Sequence, residues 1–125
     1  MKSLILISVV FALFSCNKVK TNIYAAKINQ QGTEAPKATV IEDGKFQVTW
    51  SRSGEGVYFG DFSGVNTDKV SVSLSNPSNP NNKISYSVVE GQIQVYTYSF
   101  NKKDGIFNLT DGVLINSDIQ LTEFK

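Results

Sequence analysis

The sequence predicts an all-β protein: an antiparallel β-sandwich of immunoglobulin-like dimensions, or a small barrel, preceded by a cleaved signal peptide. Three observations carry this. Phe46, Val48 and Trp50 alternate with Gln47, Thr49 and Ser51, and Val70, Val72 and Leu74 alternate with Ser71, Ser73 and Ser75. Successive strand side chains point to opposite faces, so each run has one apolar and one polar face. After the leader, no segment carries a sustained apolar stripe at helical spacing. Glycine, proline and asparagine clusters recur at intervals that suit seven or eight short strands.

The chain opens with Lys2 and then an apolar run from Leu4 to Phe14, broken only by Ser8. The run is shorter than the roughly 20 residues a membrane-spanning helix needs, so residues 1–15 read as an export signal. Leu13-Phe14-Ser15-Cys16 resembles the lipobox of bacterial lipoproteins, with Phe14 where a small residue is usual. That resemblance implies cleavage before Cys16, a diacylglycerol on its thiol and an acylated amine. Two or three acyl chains hold a membrane firmly where one does not. Cys16 is the only cysteine, so it has no intramolecular disulfide partner. The other reading is an ordinary secretory signal followed by a chance cysteine. Residues 16–22 would be a lipidated tether and 23–125 a single domain.

Strands are expected at Ile23–Gln30, Ala38–Glu42, Lys45–Trp50, Val57–Phe62, Val70–Leu74, Ile119–Phe124 and, briefly, Val113–Asn116. Asp43-Gly44 suits a two-residue type I′ hairpin that would pair Ile41 with Phe46 and Glu42 with Lys45. Glu90-Gly91 predicts a second hairpin, pairing Val88 with Ile93, Tyr86 with Val95, Ser87 with Gln94 and Ser85 with Tyr96. Residues 51–56, 64–68, 76–82 and 101–105 read as loops.

Composition narrows the function. Taking 15 residues from 125 leaves 110, one small domain. Without Lys2 there are 11 basic and 11 acidic side chains, a balance that argues against nucleic acid as a partner. Histidine is absent, which removes the commonest general base and transition-metal ligand. With Cys16 acylated no thiolate remains, so no cofactor or metal is expected and any metal would need oxygen ligands.

Tyr24 to Pro36, containing Gln30-Gln31-Gly32-Thr33-Glu34-Ala35-Pro36, is followed by Ala38–Glu42, Val48-Thr49-Trp50-Ser51-Arg52, Gly56-Val57-Tyr58 and Phe62. Asp111-Gly112-Val113-Leu114 and Ser117-Asp118-Ile119 close the series. This order resembles a small all-β domain that recurs in uncharacterised proteins of Bacteroidetes-type bacteria, including lipoproteins and some phage-associated proteins. The resemblance covers nearly all of residues 23–125. It implies the fold and a bacterial source, and it brings no catalytic residues with it.

Few residues suggest chemistry. The eleven carboxylates are scattered. A facing pair would make a small carboxylate-dependent hydrolase, for example on glycans; at turns they simply meet water. Asp104, Asn108, Asp111 and Asp118 fit no calcium-loop spacing and read as Asx turns around Ile106-Phe107. Tyr96, Tyr98 and Phe100 share one strand face, opposite that of Ile93 and Val95. They would stack on sugar rings or dock a protein, or else pack across the sheet. Arg52 shares a face with Trp50 and would form an exposed stacking pair with it if Trp50 is not core.

The expected function is a non-catalytic binding or structural module of a lipid-anchored envelope protein. Its partners would be membrane lipid through Cys16 and a protein or glycan through the aromatic face. Asn17 is not the aspartate associated with inner-membrane retention, and no acidic run follows Cys16, so the expected place is the outer membrane on its periplasmic face.

Overall fold

The structure, a computed structural model, describes residues 21–124. The leader, Cys16 and most of the expected tether lie outside them. Among the described residues the nine strands are β1 (Thr21–Asn29), β2 (Lys37–Glu42), β3 (Gln47–Gly54), β4 (Val57–Ser63), β5 (Val70–Leu74), β6 (Asn82–Val89), β7 (Gln92–Asn101), β8 (Ile106–Leu109) and β9 (Ser117–Phe124). A 3₁₀ turn, Thr67–Lys69, precedes β5. All pairings are antiparallel. They form one sheet ordered β2-β1-β9-β5 and a second ordered β3-β4-β7-β6, with β8 paired to β7 beyond the end of β4. The two sheets pack as a sandwich and do not close into a barrel.

Alternation decides which face each strand buries. Along β9, Ser117, Ile119, Leu121 and Glu123 are buried while Asp118, Gln120 and Phe124 are exposed. Along β7, Ile93, Val95 and Thr97 point inward. Between them lie Tyr24, Ala26 and Ile28 of β1, Tyr58 and Phe62 of β4, Leu74 of β5, and Phe46 and Leu114 from connections. Burial of such side chains stabilises by roughly 1.5–3 kcal/mol each. Trp50 of β3 lies against this core above Gly60, where a Cβ would come within 3.0 Å of the indole.

The Glu90-Gly91 hairpin has the predicted register at all four pairs. Glu90 and Gly91 both have positive φ, as a type I′ turn requires.

The other expected hairpin does not form. Residues 43–46 do make a turn, closed by Phe46 N–H donating to Asp43 O at 2.8 Å. Its positive-φ residues are Gly44 and Lys45, one position later than expected. It carries the chain from β2 in one sheet to β3 in the other, so Ile41 and Phe46 are not partners. Two contacts select this arch. Gly44 packs so closely on β1 that a Cβ would lie 2.1 Å from Ile23 O, and Phe46 turns inward against Tyr24 and Phe62. Local turn chemistry is satisfied either way; burial of Phe46 chooses the arch.

Several boundaries also differ. β1 begins at Thr21, so Thr21 and Asn22 belong to the sheet, and Asn22 Nδ2 donates to Glu123 Oε1 at 2.6 Å. β3 runs through Arg52 to Gly54, where a loop was expected. Val113–Asn116 is not a strand but part of a crossover from β8 to β9, in which Val113 and Leu114 are buried. The span between its flanking turns, Ile106–Leu109, is the strand β8 instead.

Candidate functional site

Strand directions give the sandwich two distinct ends. Thr21 pairs with Phe124 at one end, near the arch and the Glu90-Gly91 turn. At the other end lie the β1–β2 loop, the β3–β4 turn, the β7–β8 turn and the crossover. Gln30, Arg52, Gly56, Tyr58 and Asp111, far apart in sequence, converge at this second end.

Asp111 is the centre of that convergence. Its carboxylate accepts from Arg52 Nη2 at 2.7 Å and Arg52 Nε at 3.3 Å, from Gly56 N–H at 2.9 Å, and from the Tyr58 hydroxyl. The Arg52 guanidinium, then the Gly56 amide and the Tyr58 hydroxyl, outweigh burial and hold the Asp111 carboxyl down at about 2. Burial and the neighbouring carboxylate push the Tyr58 phenol well above its ordinary value. Asp111 therefore has no proton to give at neutral pH, and most of its lone-pair capacity is engaged. This arrangement fastens; it does not suit a general acid.

A second fastener is Gln30, 2% exposed. Its amide nitrogen donates to Gly32 O and Glu34 O, both at 2.9 Å, and its oxygen accepts from Gly112 N–H at 2.6 Å. Its backbone N–H donates to Leu114 O at 2.9 Å. Gln30 and Asp111 together clamp both sides of the crossover. Sequence reasoning missed this network, although a signal was there. Arg52 follows Trp50 at period two, and a charge on an inward face demands a counter-ion.

Arg52 is thus not half of an exposed stacking pair. Trp50 is packed against the core, and the guanidinium beside it is held by Asp111 with the side chain 23% exposed.

The aromatic row lies where the alternation placed it. Tyr96, Tyr98 and Phe100 occupy the outer face of β7, opposite Ile93, Val95 and Thr97. Cross-strand neighbours extend the row. Tyr96 lies between Ser85 and Val57, Tyr98 between Lys83 and Leu109, and Phe100 beside Phe107. The Phe100 and Phe107 rings are 5.3 Å apart and tilted by 58°. Lys83 Nζ stands 5.8 Å from the Tyr98 ring centre and 5.9 Å from that of Phe107. Phe100, Phe107 and Leu109 are 37%, 44% and 40% exposed. The rings both pack across the sheet and remain open to a partner. Phe107 and Leu109 escaped notice because β8 is only four residues long and sits between two turns, and Lys83 because it stands at the start of β6, just after the span read as a loop.

A shallow depression of about 310 Å³ lies on the opposite sheet, among Ala25, Ile41, Ser73, Ser75, Asp118 and Gln120. Small side chains create it, and Asp118 there is paired with Lys27 at 2.6 Å. Among the described residues no group of three or more His, Cys, Asp or Glu converges as a metal site, and no helix is long and apolar enough to cross a membrane.

Comparison of the chain with protein-family models, with curated proteins and with solved structures finds no match.

Proposed function

We propose that this chain is a non-catalytic binding module, tethered through acylated Cys16 to the bacterial outer membrane on its periplasmic side, that engages a protein or glycan through the outer face of β7 and β8. The observation that carries the reading is the row Tyr96, Tyr98 and Phe100, widened by Phe107 and Leu109 on a sheet face that no other element covers among the described residues. Aromatic rings offer large contact area at small loss of conformational freedom, which makes them common recognition surfaces. The leader pattern and the single Cys16 support the tether. The two fasteners at the crossover support a rigid scaffold beneath the face.

The test has two arms. Cell fractionation compares the parent with Cys16→Ser, which is expected to leave the membrane fraction. Cross-linking from a photoreactive residue at position 100 is expected to capture a partner that a residue at position 71, on the other sheet, does not. A Cys16→Ser chain that fractionates like the parent would remove the tether.

A further inference from the structure

The outer face of β7 and β8 has a chemistry that narrows its partner. We propose that it is a platform for a polysaccharide chain bearing carboxylates. The proposal rests on the reading that this face is the binding surface, and adds the class of ligand.

Four features point to that class. Alternate residues on a strand stand about 6.7 Å apart, so Tyr96, Tyr98 and Phe100 form a row of rings along β7, a layout that suits an extended chain of sugars. The face is a sheet surface and not a pocket, which favours an extended polymer over a small molecule. The exposed apolar area is limited, since these rings are partly covered by their neighbours, which suits repeated weak contacts better than a standard protein interface of about 1,600 Å² in total.

Charge supplies the fourth. Lys83 stands over the Tyr98 and Phe107 rings, and Lys102 and Lys103 occupy the turn that ends the row. None of these lysines joins an ion pair among the described residues. The carboxylate in that turn, Asp104, accepts from Asn101 Nδ2 at 3.0 Å. A sugar stacked on Tyr98 would bring its carboxylate to Lys83.

Position favours a glycan over the anchoring bilayer. The row rises towards the end where the crossover caps the core, whereas Thr21 is at the other end. The nine residues of β1 span about 30 Å, and the five-residue step from Cys16 to Thr21 reaches at most about 18 Å. In a chain tethered at Cys16, these lysines and rings lie at the end of the sandwich farther from the anchor.

Full-length protein in a non-ionic detergent, passed over polygalacturonate beads and neutral dextran beads, tests this. Retention is expected on polygalacturonate alone, released by salt. Tyr98→Ala, Phe107→Ala and Lys83→Ala should each weaken it roughly tenfold. Tyr98→Phe and Lys83→Arg should retain it, and thermal melts should show every variant folded. No retention on either resin overturns the proposal and leaves a protein partner on the same face. Retention on both, lost in Tyr98→Ala, overturns the acidic class but keeps the face. Retention unchanged by all three alanine variants overturns both. Sedimentation of the Cys16→Ser chain with phosphatidylglycerol vesicles, abolished by Lys83→Ala, would overturn it in favour of a lipid surface.

Discussion

Arg52 Nη2 lies 2.7 Å from Asp111 Oδ2, joining residues 59 positions apart and tying the β3–β4 hairpin to the crossover that enters β9. Both side chains are mostly buried, at 23% and 16% exposure. Removing one partner leaves the other charge without compensation, whereas exposed pairs contribute little. Asp111→Ala is therefore expected to lower unfolding free energy by about 2–4 kcal/mol, since it also strips the Tyr58 hydroxyl and Gly56 amide of their acceptor. Arg52→Ala should cost less, because Asp111 keeps two donors. Denaturant melts of both single variants and the double variant measure the coupling.

The same carboxylate sets an acid limit. Its folded value near 2 lies below the ordinary value of 3.8, so the charged form is favoured in the folded state. The stability it contributes is present above the unfolded value and is lost as pH falls towards 2, and solvent screening holds that loss to about 1 kcal/mol. Urea melts at pH 5, 3.5 and 2 should show this slope in the parent, and Asp111→Asn should flatten it.

Gln30 makes a sharper case for polar packing. Gln30→Ala would leave the Gly112 amide and two loop carbonyls without their partner at a site 2% exposed. A loss of about 2–4 kcal/mol is expected. Hydrogen exchange should localise it, with the Gly112 and Leu114 region opening first while the amides of β6 and β7 stay protected.

Two glycines separate strain from contact. Gly32 and Gly44 share a φ of 55°, but a Cβ on Gly32 meets nothing within 4 Å, while one on Gly44 meets the Ile23 backbone at 2.1 Å. Gly32→Ala should cost about 1–2 kcal/mol for the left-handed conformation alone. Gly44→Ala should cost more, roughly 3 kcal/mol or above, because the arch must move off β1. Comparison of the two melting curves checks the difference.

The sequence made the strands legible because period two is written into single residues. Phe46, Val48 and Trp50 point inward, and Tyr96, Tyr98 and Phe100 outward, as alternation requires. Register was legible where a turn and an apolar face agreed, as at Glu90-Gly91. It was not legible at Asp43-Gly44, where a turn serves a hairpin or an arch equally and the choice lies with contacts to Ile23 and Tyr24. The crossover escaped for the same reason. Val113 and Leu114 look like a short strand, yet what holds them is Gln30 and Asp111, whose partners lie far away in sequence.

An acylated Cys16 would hold this two-sheet body to a membrane. Mass spectrometry of the protein purified from its native membrane tests it most directly. A lipid-anchored chain is expected to give an N-terminal peptide that begins at Cys16 and carries a diacylglycerol thioether. An N-terminus at any other residue, or an unmodified Cys16, would contradict it.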